Sequence, residues 1–199
     1  SQAVHFPILI ARQVKIVSLH RGAIRLNCKQ LKTAMIQIGF CNVGTVDAHF
    51  SSTILKIEKG GILIFNDTAK IGCGSNISIG KSAVIECKGI FNVTAKTSLI
   101  SENKIIFGSN VLISWDCIFM DTDFHKIIHE STVTNNPQEI IVGDNVWICC
   151  RTTVLKGVKI PNGSVIGAGS VFSSSFYDEN CLYAGVPARK IKENISWEI

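Results

Sequence analysis

From Val142 onward the chain repeats in sixes. Val142, Ile148, Val154, Ile160 and Ile166 are β-branched aliphatics at equal intervals, and Phe172 continues the series. Four places after each aliphatic stands Val146, Thr152, Val158, Ser164 or Ser170, always small or β-branched. Weaker copies begin at Ile10, Phe65, Ile71, Ile79, Phe107 and Ile113, with the register slipping by two residues between Ile71 and Ile79. An amphipathic helix needs apolar residues at spacings of three and four. A hairpin sheet needs longer alternating strands joined by turn residues. Gly and Asn recur here every few residues, so straight segments are short. The pattern predicts a solenoid of very short parallel strands with tight corners, an all-β fold. In each unit the aliphatic points into the core and the small residue lets the chain turn past it.

The period is lost after Phe124 and resumes at Ile141 or Val142. The intervening KIIHESTVTNNPQE is polar and is expected to leave the solenoid as a loop over 125–140. The chain then divides into a loosely patterned N-terminal segment with the first coils (1–56), the main solenoid (57–176) and a C-terminal tail (177–199).

Composition narrows the class. With 46% hydrophobic and 18% charged residues, 199 residues make one folded domain with a real core. No apolar run approaches a membrane span, and SQAVHFPILIARQ lacks the layout of a secretory signal, so a cytoplasmic protein is expected. The eight cysteines form no CxxC pair and mostly neighbour aliphatics, which predicts small buried thiols rather than a disulfide framework. The formal charge of +5 is scattered along the sequence apart from ARKIK at 188–192, so no nucleic-acid footprint is expected.

The candidate chemistry gathers at the start of the loop, where Asp121, Asp123 and His125 alternate and His129 follows. A loop histidine is exposed enough to meet a substrate and titrates near neutrality. In extended chain, residues i, i+2 and i+4 share a side, so a carboxylate of this run can orient the imidazole. Three readings stay open from the residues themselves: a base with its orienter, a metal site, and a polar turn. A zinc site would draw on His125, His129, His49, His20 and His5.

The hexads, written [LIV]-[GAED]-x-x-[STAV]-x, resemble those of the hexapeptide-repeat acyltransferases. The segment from Asn145 to Lys192, ending in AGVPARKIK, is similar to the C-terminal half of galactoside- and maltose-type acetyltransferases. LISWDCIFMDTDFHKI resembles a branch that acts on bacterial capsule and O-antigen glycans. The resemblance implies a left-handed parallel β-helix, against the usual right-handed parallel crossover, and a homotrimer with active sites between subunits. It further implies O-acetyl transfer from acetyl-CoA to a sugar hydroxyl, with no metal. His125 would be the general base, Asp123 its orienter, and Asp121 and Trp115 acceptor-binding residues. Cys150, Ala168, Ser173, Arg189 and Lys192 would hold the acyl donor. Two departures from the family pattern stand out: Cys149 replaces the glycine of WIG, and Ser173–Ser175 replace TKD, with Ser174 where the lysine would be. The alternatives are an N-acetyltransferase on an amino sugar nucleotide, a zinc-dependent protein like the γ-class carbonic anhydrases, and a non-enzymatic β-helix.

Overall fold

The structure, a computed structural model, describes residues 6–41, 43–44, 46–47 and 50–198. Three parallel sheets of nine, seven and six strands run its length as the faces of a triangular prism, and the chain visits them in rotation. Only the last strand of the nine-stranded sheet, Ala188–Lys192, runs antiparallel to its neighbour, Leu182–Gly185.

Strand pairing explains the slipping period. In the upper coils Ile148 pairs with Ile166, eighteen residues on, which is three hexads. Lower down, Ala69 pairs with Phe91 at twenty-two residues, and Phe91 pairs with Val111 at twenty. The longer coils use four-residue strands, such as Ala69–Gly72 and Asn76–Ile79, so an extra inward position appears between hexad aliphatics. The pairs Ile113 with Ile148 and Phe119 with Val154 span thirty-five residues, because the loop leaves the coil between them.

The hexad aliphatics from Val142 to Phe172 are all buried, and so are the small residues that follow them. The small residues also close the corners. The hydroxyls of Thr152, Ser164 and Ser170 donate to the carbonyls of Cys149, Pro161 and Gly167, at 2.8, 2.7 and 2.6 Å. A bulkier side chain would neither fit inside the corner nor satisfy its carbonyl. Further down, Phe91, Phe107 and Phe119 stack along the axis with ring centroids 4.7 and 5.2 Å apart. Phe172, Phe176 and Tyr183 close the upper end, where the Tyr183 hydroxyl donates to the Asp178 carbonyl at 2.6 Å. At the lower end Ile10 is 38% exposed rather than buried, because among the described residues its strand, Ile8–Ile10, is the end strand of the nine-stranded sheet.

One cysteine expectation is corrected. Cys41 and Cys73 are disulfide-bonded, with Cα atoms 4.8 Å apart. They follow the paired residues Phe40 and Gly72, so coil stacking sets their corners face to face. Cys28, Cys87, Cys117, Cys149, Cys150 and Cys181 are free thiols. Burial drives the Cys117 thiol up to about 12.

Candidate active site

His125 lies at the edge between the seven- and six-stranded sheets. Strand Ile118–Met120 ends there, and the next strand of the coil, Ile140–Val142, begins twenty residues later. The Phe124 N–H donates to the Thr122 hydroxyl at 3.0 Å, the His125 N–H to the Asp123 carbonyl at 2.6 Å, and Phe124 adopts a φ of 60°. This turn throws His125 outward into a cleft of about 410 Å³, walled by Glu102, Thr122, Val133, Asn135 and Pro137. The imidazole is exposed and, among the described residues, meets no hydrogen-bond partner. A two-stranded hairpin, Ile128–His129 with Thr132–Val133, forms the outer lip. His129 sits on that lip, fully outside, 3.9 Å from the Glu130 carboxylate.

The turn ends extended geometry at Met120, so the two aspartates do not share a side with His125. Asp121 is corrected from an acceptor-binding residue to a buried cap. It is 0% exposed, and its carboxylate accepts from the Ser101 hydroxyl (2.6 Å) and from the N–H groups of Glu102 (2.7 Å) and Asn103 (3.1 Å). Among the described residues, the Asp123 carboxylate makes no hydrogen bond to the imidazole. That carboxylate meets the Lys156 ammonium and accepts from the Asn135 amide at 2.8 Å. Lys156 first, then Asn135, holds the carboxyl below the ordinary aspartate range.

Two residues that sequence reasoning missed organise this loop. The Asn135 amide donates to the His125 carbonyl at 2.8 Å, and its oxygen accepts from the Ile127 N–H at 2.6 Å. Lys156 belongs to the next coil and also donates to the Asn135 carbonyl at 3.0 Å. The available signal was the coil length: Met120 pairs with Leu155, so Lys156 stands directly over Asp121. Glu102, another wall of the cleft, lies over Gly80, where an added Cβ would stand 2.2 Å from its carboxylate. Partial burial, then Glu58 and Asp121, raise the pKa of Glu102.

Of the donor residues of the sequence reading, Cys150 and Ala168 lie on a different edge, between the nine- and seven-stranded sheets. From the pairing of Ile113, Ile148 and Ile166, the residues two places on, Trp115, Cys150 and Ala168, occupy the same corner in successive coils. The Arg151 N–H donates to the Trp115 carbonyl at 3.0 Å and the Gly169 N–H to the Cys150 carbonyl at 2.9 Å. Among the described residues, the N–H groups of Cys150 and Ala168 themselves meet no backbone acceptor. Gly185 continues this column, since Ile166 pairs with Tyr183, and Arg189 stands beside it opposite Ala184. Lys192 pairs with Leu182 at the far end of the same strand, and exposed Ser173 lies across the seven-stranded sheet, above Leu155. The Trp147 indole N–H donates to the Ser114 hydroxyl at 3.4 Å, and its ring packs 6.1 Å from Trp197 of the tail. Within one chain, therefore, His125 and the Cys150–Ala168 column are separated by the width of a sheet, at most roughly 20 Å for six residues of strand and corner.

No three His, Cys, Asp or Glu side chains converge as a metal-binding group among the described residues; His5 and His49 lie outside them. Among the described residues, no helix is long and apolar enough to cross a membrane.

Comparison with known proteins places the chain. No family model matches it. It is 31% identical over 191 residues to an uncharacterised 24.8 kDa protein of a cps region from Klebsiella pneumoniae, covering 96% of this chain and 81% of that one. It is 34% identical over 122 residues to the galactoside O-acetyltransferase of Escherichia coli strain K12, covering 60% of this chain but only 55% of the relative. The crystal structure of a polysialic-acid-specific acetyltransferase superposes with a TM-score of 0.63 at 23% identity, over 96% of this chain and 78% of that one, and establishes the left-handed β-helix. Hexads, three-sided coils and sequence relatives together assign the chain to the hexapeptide-repeat acyltransferases.

Proposed function

We propose that the protein transfers an acetyl group from acetyl-CoA to a hydroxyl of a saccharide or glycan, with His125 as general base. The observation that carries this reading is the state of His125: an imidazole without a hydrogen-bond partner among the described residues, projecting into a cleft from a loop whose backbone is tied down by Asn135. A base must reach the acceptor hydroxyl, take its proton as the oxygen attacks the thioester carbonyl, and pass it to the departing thiolate. A neutral imidazole with both nitrogens free does both. Two of the proteins named above are a galactoside O-acetyltransferase and a polysialic-acid-specific acetyltransferase, which supports a saccharide acceptor.

The donor would lie along the Cys150–Ala168 column. The N–H groups at that corner are available to the pantetheine arm and to the oxyanion, and Arg189 is available to a phosphate. Because His125 and the column occupy opposite edges of one sheet, the reacting groups meet only if His125 of one subunit faces the column of the next. A closed trimer satisfies that requirement three times over, with identical interfaces. Asp123 does not orient the imidazole in this reading. It ties the loop to Lys156 and so positions His125 indirectly.

Thiol release from acetyl-CoA, measured across a panel of sugars and glycans, tests the reaction. Release that depends on a saccharide supports it. Acetyl-CoA binding without release for any acceptor, or release only with amines, would replace the reading.

A further inference from the structure

The charge is divided unequally along the solenoid. Residues 1–110 carry thirteen Lys and Arg against five Asp and Glu, a formal +8; residues 111–199 carry seven against ten, a formal −3. The lower coils are thus a basic platform and the upper coils are weakly acidic. Coiling also gathers lysines that are scattered in sequence. At the edge between the six- and nine-stranded sheets, Lys29, Lys32 and Lys88 line one cavity of about 360 Å³ together with Gln30, Asn66 and Thr68. All three lysines are exposed and, among the described residues, none forms an ion pair.

The nearby carboxylates are already engaged. Asp67, also in the cavity wall, accepts from the Thr68 N–H (2.6 Å) and hydroxyl (3.2 Å), and Glu86 accepts from the Asn66 amide at 3.0 Å. Higher on the same edge the polarity reverses. Asp144 stands one residue beyond the position that matches Lys88, and its carboxylate caps the corner at Ser109 (2.7 Å).

We propose that this cavity is an anion subsite that holds the carboxylate-bearing units of an acidic polysaccharide, remote from the His125 cleft. The inference deepens the saccharide-acceptor reading and rests on it. Ammonium groups supply point charges for a carboxylate, and the neighbouring amide and hydroxyl groups suit sugar hydroxyls. The volume falls within the range of small-ligand clefts, roughly 300–1,000 Å³. No aromatic side chain lines it to stack a base, which disfavours single-stranded nucleic acid. A glycan seated there would run along the basic coils, so polymer would be retained while the His125 cleft works on another unit.

The test is binding, read separately from catalysis. Affinity electrophoresis of the intact protein through gels containing polygalacturonate, or its carboxyl-reduced counterpart, compares wild type with Lys29→Gln/Lys32→Gln/Lys88→Gln. Lys59→Gln/Lys81→Gln/Lys96→Gln serves as a control of equal charge loss. The expected result is retardation by the carboxylated polymer only, weakened about tenfold in the first variant, little changed in the control, and eroded by salt. Equal retardation by the reduced polymer, equal loss in both variants, or stronger retention by DNA or anionic vesicles of matched charge would overturn the proposal. Absence of thiol release with every acceptor would remove the acetyltransferase reading and leave this binding result standing on its own.

Discussion

At the residue scale, the loop assigns different work to three neighbours. His125→Ala should lower kcat in acceptor-dependent thiol release by about 10²- to 10⁴-fold, the usual worth of a general base. The thermal unfolding midpoint should hardly move, because the imidazole is exposed and, among the described residues, makes no hydrogen bond or ion pair. Asp121→Ala should do the reverse. It strips the acceptor from one hydroxyl and two N–H groups at a buried corner and should cost about 3 kcal/mol of stability, measured by denaturant unfolding. A rise in KM with unchanged stability would return Asp121 to the acceptor site. Asp123 has a pH signature. Its carboxyl is held below the ordinary range by Lys156 and Asn135, so the fold favours the ionised form. The tie is then complete above the unfolded value and is lost as pH falls through the lower folded value. The protection of the amides across residues 122–136, relative to their intrinsic exchange, should fall below about pH 4, and Asp123→Asn should abolish that loss of protection. Unchanged protection in the acidified wild type would show that the tie does not hold the loop.

At the scale of elements, coil and loop are separable. The hairpin at 128–133 pairs only with itself and contributes no strand to the three sheets. Replacing residues 127–134 with a short Gly-Ser link should leave the unfolding midpoint nearly unchanged while acetyl transfer falls, since the cleft loses its outer lip. Phe107 is the opposite case. It is fully buried between Phe91 and Phe119, and Phe107→Ala should cost about 3–5 kcal/mol in denaturant unfolding. The upper coils were legible in sequence because each closes in eighteen residues and keeps its inward positions six apart. The middle coils close in twenty or twenty-two residues, as Phe91 with Val111 and Ala69 with Phe91, and the lowest need more still, as Ile36 with Ala69, so counting in sixes slips there. The tie between Asp123 and Lys156 was not legible, since it depends on the span of the one coil that carries the loop. The acceptor-binding reading of Asp121 failed because its carboxylate turns inward to cap Ser101, Glu102 and Asn103 in the coil below, a contact that local spacing does not mark.

At the scale of the molecule, the proposed reaction makes a single chain an incomplete site, because a sheet lies between His125 and the Cys150–Ala168 column. Its outer surface carries Ile100, Met120 and Leu155 in register, an apolar stripe suited to contact with another copy. The same coil stacking that separates these groups brings Lys29, Lys32 and Lys88 together, which the linear charge pattern conceals. The most direct test of the central claim is subunit mixing. Two inactive variants are needed, His125→Ala and a donor-column variant such as Ala168→Trp, unfolded together, refolded and assayed for acceptor-dependent thiol release. If His125 of one subunit serves the column of the next, random trimers should recover about a quarter of wild-type activity. A mixture as inactive as its parents, despite verified exchange of subunits, would contradict the account.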